Sequence, residues 1–327
     1  MVGKVGALVM CLGVGCATTK QPPPVPSSTG EGLLSYVDVD GPMRARVVRD
    51  DGAEMVIFYG SEQRGSMNEC TCPSGAERGG LARVKSYLDV ARQSAGDSLV
   101  VNAGYWLDNR VDLNERLRPD VGVANEYVLQ GFSMVGWDVL NVAHPDLPWL
   151  ARSGRFPAGA VSANLRPDEP EVLPTHRLLD FEGLRVAVTG VSSGGLHYML
   201  PDDFQVQDPV EALEALIPVM RDESDLVVVL VYDLKRETRR VAALDGVDVI
   251  VEAGGFHTGH DPHLVDGTVW VRSDYETQAL GELRLEVSDG AITGALDRKV
   301  DLDKAVPLDG RVKRLAKEAA DAREAAR

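Results

Sequence analysis

The body of the chain alternates short apolar runs with amphipathic stretches, beginning at Met55. Apolar runs of about four to eight residues that are bounded by turn residues are typical of buried strands. By this criterion we predict strands at 55–59, 98–103, 139–142, 159–163, 184–191, 226–231 and 247–251. Because helical stretches separate most of these strands, the pattern favours an α/β fold with buried sheets.

The helical stretches carry apolar residues at the spacing of one helix face. Between residues 80 and 95, Leu81, Val84, Leu88 and Ala91 are spaced as on one side of a helix. The same reasoning predicts helices at 121–135 and 209–220, and a further short helix that ends with residues 241–244.

The pattern changes after Gly267, where apolar and polar residues alternate at 268–272 and at 281–287. Alternation of this kind predicts antiparallel strands with one solvated face. The tail from Arg311 is rich in Ala, Arg, Lys and Glu, which predicts a solvent-facing helix. Residues 192–195, Ser-Ser-Gly-Gly, are typical of a turn.

The first residues have the features of an export signal. Lys4 supplies a positive charge, residues 5–14 are apolar, and small residues precede Cys16. The apolar run is too short to span a bilayer as a mature helix. The segment resembles a bacterial lipoprotein signal in which Cys16 is lipidated and becomes the mature N-terminus; an ordinary signal peptide is the alternative. Ala17 after this cysteine favours the outer membrane.

The residues after the signal are polar and rich in Pro and Ser, which is typical of a semi-rigid spacer. We therefore predict a signal at 1–16, a tether and lead-in at 17–52, a folded domain at 53–300 and a charged C-terminal helix at 301–327. The expected location is the cell envelope, on the periplasmic or surface side, where the N-terminal lipid would anchor the protein to the membrane.

The formal net charge of −16 argues against a nucleic-acid partner, because such a surface needs clustered Lys and Arg. A second expected partner is another envelope protein.

Several motifs in order along residues 55–290 resemble one family. Residues 136–146 read Gly-Trp-Asp-Val-Leu-Asn-Val-Ala-His-Pro-Asp, and they share the frame Gly-Tyr-Asp-Ala-(apolar)-x-x-Gly-Asn-His-Glu of the 5'-nucleotidase branch of the calcineurin-like metallophosphoesterases. Further similar segments are 79–83 (Gly-Gly-Leu-Ala-Arg), 156–157 with 161–165, 183–190, 246–250, 267–268 and 280–283. The resemblance implies a four-layer α-β-β-α sandwich with loops that converge at one end of the sheets.

The same resemblance implies a two-metal phosphoesterase site, but several ligand positions hold unsuitable residues. The opening Asp-x-His of the family falls on Glu62, Gln63 and Arg64, and the bridging Asp falls on Tyr105. The Asn-His-Glu positions hold His144, Pro145 and Asp146. A guanidinium is always protonated and repels a dication, and proline has no side chain that could transfer a proton.

The two remaining metal loops of the family are also altered. One loop histidine falls on Tyr232 or Asp233, and the final Gly-His-x-His falls near His257. We therefore predict a scaffold that has lost its dinuclear site, needs no cofactor and acts as a binding or thiol- and metal-handling module. The alternative is an active metal-dependent nucleotide phosphohydrolase with the remodelled set Glu62, His144, Asp146, Asp233 and His257, which would need a divalent metal.

Two other groups could carry chemistry. His257, His260 and His263 stand close together with Asp261, and histidines at this density either bind a transition metal or form a solvated polar loop. Cys70 and Cys72 precede the Gly-Gly-Leu-Ala-Arg segment, as cysteines do in some exported relatives. This pair could bind a metal, form a reducible disulfide or exchange with a partner thiol; a loop staple is the alternative.

Overall fold

The computed structural model describes residues 35–36, 48–49, 55–71, 77–96, 98–112, 116–169, 172–194, 204–255 and 263–327. The predicted signal segment with Cys16 lies outside these residues, as do Cys72, His257 and His260.

Eighteen strands and six helices are defined within the described residues. The strands are β1 (Ser35–Tyr36), β2 (Val48–Arg49), β3 (Met55–Gly60), β4 (Cys70–Thr71), β5 (Glu77–Arg78), β6 (Ser98–Asn102), β7 (Val139–Asn141), β8 (Ala160–Val161), β9 (Leu165–Pro167), β10 (His176–Phe181), β11 (Leu184–Ser193), β12 (Phe204–Val206), β13 (Leu226–Asp233), β14 (Val249–Ala253), β15 (His263–Val265), β16 (Thr268–Arg272), β17 (Ala279–Ser288) and β18 (Ala291–Asp301). The helices are α1 (Leu81–Ala95), α2 (Pro119–Val135), α3 (Leu147–Ser153), α4 (Pro209–Glu223), α5 (Thr238–Ala242) and α6 (Gly310–Ala325).

Two six-stranded sheets form the centre of the molecule. The first has the order β18-β17-β3-β6-β7-β8 and the second has the order β10-β11-β13-β14-β16-β15. Strands β3, β6, β7 and β8 are parallel neighbours, as are β11, β13, β14 and β16. Antiparallel strands occupy the edges: β17 and β18 in the first sheet, β10 and β15 in the second.

Three apolar cores separate four layers. In β3, Met55, Ile57 and Tyr59 face the core between the two sheets, whereas Val56 and Phe58 face α1, α2 and α6. Side chains of successive strand residues point to opposite faces, so a strand that is apolar throughout is covered on both sides. The third core lies between the second sheet and helices α4 and α5. The predicted α/β class and its four-layer α-β-β-α arrangement are confirmed.

Two strand predictions need correction. Strand β16 is parallel to β14 and antiparallel to its other neighbour, β15. The alternation at 268–272 predicted antiparallel pairing, which is wrong for the pair of β16 with β14. Ser192 and Ser193 do not form a turn; they are the last residues of β11, which runs beside β13 to its end. Strand β17 is antiparallel to both of its neighbours, as predicted.

Helix α6 is not wholly solvent-facing. It buries Val312, Ala316 and Ala319 in the core that α1 and α2 share with the first sheet. Near its end, the Arg323 guanidinium donates to Asp108 at 2.8 Å and to Asp120 at 3.2 Å. The sequence did not predict this packing, because two of the three buried residues are alanines, and small apolar side chains contribute little to a hydrophobic pattern. Among the described residues, no helix is long and apolar enough to cross a membrane.

Candidate functional site

Loops at the carboxyl ends of the parallel strands converge between the two sheets. Glu62 and Arg64 follow β3, Tyr105 follows β6, and His144 follows β7; Tyr232 is the last residue but one of β13. In open α/β sheets this edge is where ligands bind. We call these five residues the arginine–aromatic cluster.

The Glu62 carboxylate lies at the base of the cluster and is almost fully buried. One oxygen accepts a hydrogen bond from the Gly254 amide at 2.9 Å. The other forms an ion pair with the Arg64 guanidinium, whose side chain is 30% exposed. A charge-assisted pair of this kind neutralises a carboxylate that would otherwise be buried alone.

Aromatic rings surround the ion pair. The Arg64 guanidinium carbon lies 4.9 Å from the centre of the Tyr105 ring, within cation–π distance. Tyr105 meets Tyr232 edge-on at 5.8 Å between ring centres, and Tyr232 meets His144 at 5.4 Å. Burial raises the pKa of Tyr232, with a smaller contribution from the Glu62 charge. Burial likewise raises the pKa of Tyr105, although the Arg64 charge opposes it. Both phenols therefore remain neutral and protonated.

The loops after β3 and β6 are joined by backbone hydrogen bonds. Glu62 N–H donates to the Gly104 carbonyl at 2.9 Å, and Arg64 N–H donates to the Tyr105 carbonyl at 3.1 Å. Glu62, Arg64 and Tyr105 all have positive φ angles, of 56°, 49° and 57°. Non-glycine residues rarely adopt this conformation, and its strain is typical of functional sites.

Asp146 organises the loops beneath the cluster. Its fully buried carboxylate accepts four backbone N–H bonds of 2.9 to 3.1 Å, from Tyr105, Trp106, Leu107 and Ala143. Burial raises the pKa of Asp146 to about 7, against the lowering effect of these donors. The carboxylate thus links the loop after β6 to the loop after β7.

His144 is held by a residue that the sequence did not indicate. Its backbone N–H donates to the Ser192 hydroxyl at 3.0 Å, and its Nδ1 lies 2.9 Å from the same oxygen. Asn164 fixes the end of β11 by accepting from Ser192 N–H and donating to the Ser192 carbonyl, both at 2.9 Å. The sequence analysis missed Ser192 because a Ser-Ser-Gly-Gly run is typical of a turn. Ser192 reaches the site because β11 continues to Ser193.

Asp233 is close in sequence to the cluster but has a different local role. Its carboxylate accepts from the hydroxyl and amide of Thr238, both at 2.7 Å, and from the Ser193 hydroxyl and Lys235 N–H at 2.5 and 2.8 Å. Burial opposes ionisation, but these hydrogen bonds outweigh it and lower the pKa of Asp233. Asp233 therefore anchors the start of α5.

The other predicted site residues lie in separate places. Pro145 is buried in the turn before α3. His263 is exposed on the edge strand β15, with its ring 5.6 Å from that of Trp270. Cys70 lies on β4, half-buried, whereas Cys72 and two of the three clustered histidines fall outside the described residues. The structure thus brings together Glu62, Arg64, Tyr105, His144 and Tyr232 and places His263 elsewhere.

The described residues of the cluster do not fit a pair of divalent cations. Such a centre needs carboxylates, amides and neutral imidazoles that point into one space. Here the Glu62 oxygens are taken by an amide and a guanidinium, the Asp146 oxygens are taken by four amides, and both tyrosines are neutral. Across the part of the chain that the structure describes, no group of three or more His, Cys, Asp or Glu could hold a metal.

Comparisons with known proteins bear on the fold. No protein-family model and no curated protein matches the chain. The sulfate thiohydrolase SoxB from Thermus thermophilus is similar in structure, with a TM-score of 0.69 and 15% identity over 84% of this chain. A 5'-nucleotidase precursor, also from Thermus thermophilus, gives a TM-score of 0.66 and 18% identity over 83% of this chain.

The chain spans 61% of the length of SoxB and 59% of that of the 5'-nucleotidase precursor. By contrast, it matches 99% of the solved chain of the calcineurin-like phosphoesterase YfkN from Bacillus subtilis. That match covers 84% of this chain, with a TM-score of 0.65 and 16% identity. At these identities the likeness concerns the fold. The chain therefore has the calcineurin-like phosphoesterase fold of the 5'-nucleotidase type.

Proposed function

We propose that this protein is a non-catalytic binding module built on a phosphoesterase fold. The observation that carries the proposal is the Arg64 guanidinium, which is paired with Glu62 and packed on Tyr105 where the loops converge. A fixed positive charge repels a dication by several kcal/mol at about 4 Å, even at an effective dielectric constant of about 20. The cluster is therefore a site whose cation is part of the protein.

The contacts of the acidic residues support the same proposal. A remodelled hydrolase would have to free Asp146 from four backbone amides and Asp233 from two hydroxyls and two amides. Removing such partners leaves buried donors unsatisfied, at a cost of about 1–3 kcal/mol each. These two carboxylates are therefore engaged in holding the loops and are poorly suited to bind a metal.

The test is a joint measurement of metal content and phosphoester hydrolysis. The purified full chain is incubated with Mn²⁺ or Zn²⁺, exchanged into metal-free buffer and analysed for bound metal, and its turnover of p-nitrophenyl phosphate and of a nucleoside monophosphate is measured. We expect less than one metal per chain and no turnover above the buffer rate. Glu62→Ala is the site variant, and Glu318→Ala, on the exposed face of α6, is the matched control.

One result would overturn the proposal. Two bound divalent ions, with turnover that Glu62→Ala abolishes and Glu318→Ala retains, would identify an active hydrolase with a remodelled site.

We further propose that the module is exported and anchored to the envelope membrane through lipid on Cys16. The apolar segment followed by a cysteine supports this proposal, as does the polar Pro/Ser spacer after it. Mass spectrometry of the mature N-terminus tests it: a diacylglyceryl cysteine is expected, and cleavage at another residue without lipid would contradict it.

A role of Cys70 and Cys72 in thiol exchange or metal handling is the third part of the proposal. The support is their Cys-x-Cys spacing in an exported chain, because an oxidising compartment makes a close thiol pair reactive. Thiol titration before and after mild reductant tests this role. A gain of two thiols per chain on reduction is expected, and a permanently reduced, unreactive pair would contradict it.

A further inference from the structure

A cleft of about 630 Å³ lies on the outer side of the second sheet, away from the arginine–aromatic cluster. Residues of α4 and of the two-stranded ribbon of β9 and β12 line it. Small-molecule sites usually have volumes of about 300–1,000 Å³, so the cleft is large enough for a ligand.

Arg166 supplies the positive charge of this cleft. It lies on β9 opposite Gln205 of β12 and is half-buried. Its Nη1 atom is buried and makes no hydrogen bond within the described part of the chain. Asp168, the nearby acid of the same ribbon, accepts instead from the Gln205 side chain at 3.3 Å. Buried guanidinium donors usually have partners, because leaving one unsatisfied is costly.

The rest of the lining contains both apolar and acidic residues. Val206, Ala215 and Leu216 provide the apolar surface. Asp208 accepts from Val210 N–H at 2.9 Å and from Glu211 N–H at 3.2 Å as the N-cap of α4, and it lies 3.7 Å from the Arg240 guanidinium. Glu211, in the first turn of α4, is exposed.

We infer that this cleft binds a small organic acid with one anionic end and an apolar body. Its carboxylate or phosphate group accepts from the Arg166 guanidinium, and its apolar part covers Val206, Ala215 and Leu216. A second anionic group would meet Asp208 and Glu211 and be repelled, so the carboxylates restrict the ligand to one charged end. The site is independent of the proposed function, since none of its residues belongs to the cluster around Arg64.

Calorimetric titration of the full chain at low salt tests the inference. The probes are hexanoate, hexyl phosphate, inorganic phosphate and the neutral hexanol. We expect saturable binding of hexanoate or hexyl phosphate at one site per chain, with inorganic phosphate and hexanol at least tenfold weaker, which corresponds to about 1.4 kcal/mol. The stronger of the first two identifies the anionic group as carboxylate or phosphate.

Three variants assign the binding to the cleft. Arg166→Gln removes the charge, and Ala215→Leu fills the cleft from an exposed position on α4, where it does not disturb the core. Each should weaken binding at least tenfold. Arg152→Gln, an exposed arginine on α3, is the control and should leave affinity unchanged. Absence of saturable binding, or binding that Arg166→Gln and Ala215→Leu leave intact, would overturn the inference.

Discussion

Arg64 and Glu62 form an ion pair across a single intervening residue, and both have left-handed backbone conformations. A non-glycine residue in this region costs on the order of 1–3 kcal/mol. Two interactions offset that cost: the backbone hydrogen bonds to the loop after β6, and the ion pair itself. The turn that these two residues form, rather than a continuation of β3, directs both side chains into the space between the sheets.

The first prediction concerns the coupling between these two residues. Among the described residues, Arg64→Met leaves the buried Glu62 carboxylate with only the Gly254 amide as a partner. The variant should therefore lose about 1–3 kcal/mol of unfolding free energy. In a double-mutant cycle with Glu62→Gln, measured by urea unfolding, we expect a coupling energy of about 1–3 kcal/mol.

The exposed pair Lys317–Asp321 on α6 is the matched control for this cycle. Exposed helical pairs are worth about 0.3–0.5 kcal/mol, so its coupling should be much smaller. Equal coupling energies for the two pairs would mean that the Arg64–Glu62 pair is solvated and does not hold the site together.

The second prediction concerns Asp146 as the link between two loops. An asparagine can accept at one atom only, and its amide nitrogen would face two backbone N–H donors. At pH 5, Asp146→Asn should therefore lower the unfolding free energy by about 1–4 kcal/mol, through two unsatisfied buried donors. At pH 8 the loss should be smaller, because the asparagine also removes a charge that is costly to bury. The control Asp89→Asn, on the exposed side of α1, should stay within about 0.5 kcal/mol of wild type. A similar small change in both variants would contradict the proposed role.

The layers and most central elements were predictable because they depend on local patterns. Strand β13 is apolar along almost its whole length, and the apolar positions of α1 follow one helix face. Strand β10, by contrast, lies at a sheet edge and consists of half-buried and exposed residues. Helix α3 is short and has only three buried residues. Such elements carry weak patterns and are defined by their neighbours.

The site was predictable only in part, for a related reason. The resemblance indicated which positions would converge, since residues after β3, β6, β7 and β13 meet at one edge. It could not indicate what the substituted residues do there: the Arg64–Glu62 pairing depends on two positive φ angles, and the contact of His144 with Ser192 joins residues 48 positions apart. These contacts follow from tertiary geometry, which no local pattern encodes.

The third prediction concerns the pH dependence of the α6 cap. The Asp309 carboxylate accepts from Arg311 N–H and Val312 N–H, both at 2.9 Å. Burial, the largest single effect, opposes ionisation, but these amides and the Arg311 charge together outweigh it and lower the pKa of Asp309. A lowered pKa in the folded state means that the stabilisation is present above the unfolded value of about 3.9 and is lost as pH falls through the folded value.

Asp309→Ala should therefore cost about 1 kcal/mol of unfolding free energy at pH 7 and progressively less below about pH 4. Asp309→Ser keeps a capping oxygen that does not titrate, so its stability relative to Asp309→Ala should not change over the same range. Urea unfolding at a series of pH values measures both differences. A loss in Asp309→Ala that is constant from neutral to acid pH would show that the charge of the cap contributes nothing.

The fourth prediction is that metal ligands can be introduced into the cluster. Arg64→His, Tyr105→Asp and His144→Asn together replace the internal cation by a histidine, a carboxylate and an amide, beside the existing Glu62 carboxylate. Oxygen and imidazole ligands at this edge suit a divalent metal such as Mn²⁺. Calorimetric titration should show Mn²⁺ binding to the triple variant at least about tenfold tighter than to wild type, a gain of about 1.4 kcal/mol.

The triple alanine variant at the same three positions is the control, because it opens the space without supplying ligands. Adding Glu62→Gln to this variant should remove the gain. Pro145 has no side chain that could transfer a proton, so binding is expected without phosphoester turnover. If the alanine variant binds Mn²⁺ as tightly as the variant that carries the three ligands, the metal occupies some other part of the protein, and the three introduced residues do not form a metal site with Glu62.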